Sequence, residues 1–93
     1  MVIAILRVIL FIGHSNSLKT KRMVLHSLKT RLRNKFNIAI SEVDDEDKWQ
    51  KATLAIVGVQ NDKRYMDRQA SLIINFIENF NQVDIVDYEM EMI

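Results

Sequence analysis

The sequence has no cysteine and no proline, only two glycines and one tryptophan in 93 residues, and no acidic residue before Glu42. Without cysteine there are no disulfides, thiolate metal sites or thiol nucleophiles, a composition that suits a reducing compartment, so the cytoplasm is expected. Without proline nothing requires a cis peptide. Long hydrophobic runs are missing too. The opening "VIAILRVILFIG" is broken by Arg7 and falls short of the roughly 20 apolar residues that a membrane-spanning helix needs. It also lacks the basic leader and small-residue cleavage site of a signal peptide, so no membrane segment is expected.

What is present is enough for one domain, residues 1–93, since 48% of the chain is hydrophobic and 27% is charged. The net charge is only +1, but it is unevenly distributed. Residues 1–41 carry eight Lys/Arg and no Asp/Glu, whereas residues 42–93 carry five Lys/Arg and twelve Asp/Glu. A chain so divided is a dipolar molecule with one side suited to anions.

Val2 to Ile12 is rich in valine and isoleucine and is bounded by Gly13, which reads as a buried strand. From residue 18 to 36 the spacing becomes helical, with Leu18, Leu25, Leu28, Leu32 and Phe36 on one stripe. Ser17 precedes it as a candidate N-cap. Residues 37–43 read as a second strand, 44–51 as a polar connection and 52–59 as a third strand. Asn61 or Asp62 then caps a second helix running to about Phe80, with Tyr65, Leu72, Ile73, Phe76, Ile77 and Phe80 as its apolar positions. Residues 83–91 alternate as a fourth strand. The order βαββαβ predicts an α+β ferredoxin-like sandwich, a four-stranded antiparallel sheet with two helices on one face.

On a helical wheel, Lys19, Arg22, His26, Lys29 and Arg33 share a strip about 80° wide and about 21 Å long. Solvated helix faces usually mix signs to gain pairs four residues apart, and this one holds no acid, so polyanion binding is the favoured reading. Lys21, Arg31 and Lys35 lie elsewhere on the wheel and extend the positive field. Lys21 joins the candidate anion site that Ser17, Lys19 and Arg22 form at the helix start, where first-turn amides attract phosphate. The stretch "GHSNSLKTKR" is not a Walker loop, which needs a second glycine followed by lysine. Gly13 is read there as the residue that lets the chain turn out of the strand.

Other chemistry is thin. His14 beside Ser15 lacks the nucleophile elbow and an orienting acid. Glu42, Asp44, Asp45, Glu46 and Asp47 lack the glycine of a calcium loop and read as a solvated connection. No metal and no cofactor is expected. Trp49 reads as a core or interface residue. Alternation in the first strand sends Ile3, Ile5, Arg7, Ile9 and Phe11 to the sheet face away from the helices, beside Thr53, Ala55, Val57 and Val59. So apolar a face implies a partner, most simply a second copy packed sheet on sheet, with Ile3, Ile5, Arg7, Ile9, Phe11, Val57 and Val59 at the interface. Only Phe11 there is aromatic, which disfavours base stacking on the sheet.

The segments Ser17-Leu18-Lys19-x-Lys21-Arg22, Arg33-Asn34-x-Phe36-Asn37, and Glu42-Val43 followed by Asp47-x-Trp49-Gln50-x-Ala52 resemble the YlxP-like family of small uncharacterised bacterial proteins. The resemblance covers nearly the whole chain and departs at Ile9, where relatives carry a polar or acidic residue, and at "IGHSN", where they carry a proline. It implies a ferredoxin-like fold. The genes of that family often neighbour those for translation initiation and ribosome-binding factors, which implies structured RNA or a ribosomal particle as partner but assigns no mechanism. The expected protein is thus a non-enzymatic, homodimeric, RNA- or ribosome-associated binding protein. The alternatives are a phosphate-metabolite hydrolase of acylphosphatase type and a protein–protein adaptor.

Overall fold

A computed structural model describes residues 1–93. The elements run β1 (Val2–Phe11), α1 (Leu18–Lys35), β2 (Ile38–Asp44), β3 (Lys51–Gln60), α2 (Lys63–Glu78) and β4 (Asp84–Met92). They form one antiparallel sheet in the order β2-β3-β1-β4, the ferredoxin-like α+β arrangement. β1 and β3, the central pair, match residue for residue from Val2↔Gln60 to Phe11↔Lys51. Both edge strands carry a register shift, between Glu42 and Asp44 in β2 and opposite Ile9/Leu10 in β4.

Strict alternation in β1 places Leu6, Val8 and Leu10 beneath the helices, where they meet Leu54 and Ile56 of β3. α1 adds Val24, Leu25, Leu28 and Leu32 to the core, and α2 adds Ile73, Ile74 and Ile77. Removing each such side chain from water contributes about 1.5–3 kcal/mol. The caps follow the sequence: Ser17 Oγ accepts from the Thr20 amide at 3.1 Å, and Asp62, rather than Asn61, accepts from the Arg64 amide at 2.7 Å.

Two expectations need correction. Of the apolar positions expected for the second helix, Ile73, Ile77 and Phe80 are buried and Phe76 is half-buried, but Tyr65 and Leu72 are exposed, and Met66 and Ile74 are buried in their place. The buried face is turned toward Met66 and Ile74 and away from Tyr65 and Leu72, and a helix lying on a sheet has only one such face. Gly13 has no positive φ. A Cβ at that position would come within 2.8 Å of the Phe11 ring, so this glycine makes room for an aromatic side chain rather than for a left-handed turn.

Candidate nucleic-acid interface

The core stripe of α1 sets the direction of everything else on that helix. With Leu25, Leu28 and Leu32 buried against the sheet, the strip centred ~120° around the wheel has to face outward. Lys19, Arg22, His26 and Arg33 are exposed and Lys29 is half-buried. None of them takes part in an ion pair. Arg33 Nη2 donates to the Ile40 carbonyl of β2 at 2.9 Å, which anchors the C-terminal end of the strip beside that edge strand. Arg31 and Lys35, which lie off the strip, stand against aromatic rings. Arg31 lies 5.5 Å from the centre of the Phe80 ring, and Lys35 lies 5.9 Å and 5.3 Å from those of Phe36 and Phe76.

Lys21 does not belong to an anion site. Its side chain is 1% exposed, and Nζ donates to the Asp45 carbonyl at 2.6 Å and the Lys48 carbonyl at 2.7 Å. Glu42 Oε2 lies 2.8 Å from the same nitrogen, and this ammonium is the one cation with which it forms an ion pair. The sequence does contain the signal for this burial. Lys21 stands three residues after Leu18 and four before Leu25, in phase with the apolar stripe. A cation in that phase has to find partners inside, and the acidic connection supplies them.

The connection is therefore not the solvated loop its composition suggests. Asp45 adopts φ 65°, the left-handed region that aspartate tolerates better than most residues. Its Oδ2 accepts from Thr53 Oγ1 at 2.9 Å, while Lys48 Nζ lies 3.2 Å from Oδ1 and Lys51 Nζ 3.7 Å from Oδ2. The Thr53 hydrogen bond, with the two lysines behind it, holds the Asp45 carboxyl below its ordinary value of 3.8, against the smaller opposing effect of burial. Glu46, Asp47 and Trp49 remain exposed, so the tryptophan is neither core nor covered within this chain.

The other candidates fall into two groups. His14 is exposed and makes no hydrogen bond or ion pair, while Ser15 is 2% exposed with its hydroxyl donating to the Ser17 carbonyl at 3.0 Å. The two are not assembled with an acid. On the far side of the sheet, Ile3, Ile5, Ile9 and Val57 are half-buried, and Arg7, Phe11 and Val59 are exposed on the same face. Thr53, expected on that face, is sealed beneath Asp45. Arg7 reaches toward Asp44 at 3.8 Å. The alternation of β4 brings Asp87, Glu89 and Glu91 opposite Ile9, Arg7 and Ile5, an acidic row along this face that the β1 pattern alone does not reveal.

These features define a ferredoxin-like domain with one cationic helix flank and one open sheet face. The chain belongs to the family described as protein of unknown function DUF503, which matches residues 3–90. It is 34% identical over 70 residues to the uncharacterized protein YlxP of Bacillus subtilis (strain 168), covering 75% of this chain and 76% of that protein. Among solved structures, the de novo designed protein Foldit4 superposes with a TM-score of 0.55 at 10% identity, covering 100% of this chain and 97% of the other, a likeness of fold alone. The protein SO0527 from Shewanella oneidensis gives a TM-score of 0.45 at 16% identity, over 97% of this chain and 88% of that one.

Two outcomes test the buried cluster. Lys21→Met leaves the Glu42 carboxylate without its cation and should lower unfolding stability by about 3 kcal/mol, read from urea denaturation. Because the folded pKa of Asp45 is depressed, its contribution is present above the ordinary value of 3.8 and is lost as pH falls through the lower folded value. Asp45→Asn should therefore flatten the acid limb of a stability–pH curve below about that value while leaving the slope near neutrality unchanged.

Proposed function

We propose that the protein is a non-enzymatic, cytoplasmic RNA-binding domain that docks on structured RNA or a ribosomal particle through the α1 strip and dimerises through its open sheet face. The observation that carries the reading is the strip itself: five cationic or protonatable side chains along one helix flank, none of them paired with a carboxylate. Like charges in successive turns repel one another, and a phosphate backbone relieves that repulsion while releasing its condensed counterions. Phosphate contacts of this kind fix position and carry little base readout. The binding set is Lys19, Arg22, His26, Lys29 and Arg33, with Ser17 as the cap at one end.

A second copy is the occupant proposed for the open face because that face is complementary to itself. It has an aliphatic centre built from Ile3, Ile5, Ile9 and Val57, and it bears both Arg7 and the row Asp87, Glu89, Glu91. A two-fold partner would bury the first and bring the charges of opposite sign within reach.

Replacing Lys19, Arg22, Lys29 and Arg33 by glutamine should weaken RNA binding and flatten its dependence on salt, with the thermal unfolding midpoint little changed. Equal binding by variant and parent at every salt concentration would reduce the strip to a solvated face. For the second interface, sedimentation should report a dimer for the parent, and either a monomer or an insoluble chain for Ile5→Glu. A monomeric parent at high micromolar concentration would remove the dimer from the proposal.

A further inference from the structure

At the β4 edge of the sheet, opposite the β2 edge to which Arg33 is tied, a groove of about 440 Å³ lies between α2 and β4. Leu6, Ile74, Met90 and Tyr88 supply its apolar lining, and Asp67 and Glu78 stand among them. A second depression of about 370 Å³ shares Glu78 and Tyr88 and continues along β4 past Asp84 and Asp87. Neither is lined by a lysine, arginine or histidine. None of these four acids is in an ion pair, whereas Glu42, Asp44 and Asp45 of the β2–β3 connection each have a cation. β4 is an edge strand, so one side of its backbone has no neighbour in the sheet. Three exposed apolar side chains, Val86, Tyr88 and Met90, lie along it.

We propose that this groove and the β4 edge form a docking surface for an extended, lysine- or arginine-rich segment of a partner protein. Such side chains combine an aliphatic stem with a cationic head, and the groove offers both counterparts: methylenes pack on Ile74, Met90 and the Tyr88 ring while the heads meet Asp67 and Glu78. The unpaired edge accepts the backbone of the same segment by strand addition. A bare metal ion is a poorer match. No three carboxylate, histidine or cysteine side chains stand close enough to hold one, and the apolar lining has no role in its binding. The groove lined by Asp67 and Glu78 lies on the helix side of β4, apart from the α1 strip, and of the acidic row on the open sheet face only Asp87 lines the second depression, so the surface stands or falls independently of RNA binding.

The test uses the intact chain and a fluorescein-labelled peptide of alternating lysine and threonine, nine residues long to match β4. Fluorescence anisotropy should show binding that the corresponding glutamate–threonine peptide lacks. The pair Asp67→Asn and Glu78→Gln should weaken it about ten-fold, since two ion pairs are lost. The equal change of charge at Glu46→Gln and Asp47→Asn should leave it nearly unaltered. Backbone amide shifts on titration should gather along β4 and the facing residues of α2. Three results overturn the proposal: equal weakening by the two double variants, shifts centred on the open face around Ile5 and Val57, or the same β4 shifts produced by spermidine. The last would make a polyamine the ligand in place of a protein segment.

Discussion

A buried ammonium organises one end of this molecule. Lys21 lies in the apolar phase of α1, and its desolvation, worth several kcal/mol for an isolated ion, is offset only because three oxygens converge on it. Two of them are carbonyls of the β2–β3 connection and the third belongs to Glu42. Satisfying the lysine therefore fixes the path of the chain from Asp44 to Lys51, including the left-handed residue Asp45 that turns it. That turn in turn lays the Asp45 carboxylate over Thr53 and closes the end of the open sheet face. Once Lys21 is held, the rotation of α1 about its axis is settled. The cationic strip can then face only outward, with Arg33 tied to β2 at the other end of the helix.

The same arrangement separates the charges of the chain in space. Acids close behind β2 are absorbed by Lys21, Lys48 and Lys51, which leaves the exposed flank of α1 without opposing carboxylates. The acids of β4 have no cations to absorb them, because β4 pairs only with β1, whose single charged residue is Arg7. One edge of the domain is therefore cationic and the other anionic. A weakly charged protein of this kind presents two surfaces of opposite preference, and each field is felt mainly within a Debye length of its own surface. The RNA-docking and peptide-docking surfaces proposed for it lie on those two sides.

Much of this was legible in the sequence for a local reason. The helical phase of Leu25, Leu28 and Leu32, the alternation of β1 and the capping oxygen of Ser17 all depend on neighbours within a few residues, so periodicity alone places them. The strip Lys19, Arg22, His26, Lys29 and Arg33 was visible for the same reason. The position of Lys21 was not, even though its phase was available, because composition groups it with the other cations and its partners lie 24 and 27 residues away. Asp45 and Thr53 are likewise eight residues apart and meet only across a turn that the lysine holds.

By itself, then, the sequence determined the order of the elements, the sides of β1 and α1 that face the core, and the division of charge between the two halves of the chain. These follow from side-chain spacing and from the cost of burying polar groups. Only the tertiary structure decided how the buried face of α2 is turned, which cation became structural, that Asp87, Glu89 and Glu91 stand in a row beside Ile9, Arg7 and Ile5, and that Asp67 and Glu78 of α2 line a groove against β4. Such outcomes depend on which strands lie side by side. Strand pairing joins residues far apart in the chain, so no local pattern encodes it.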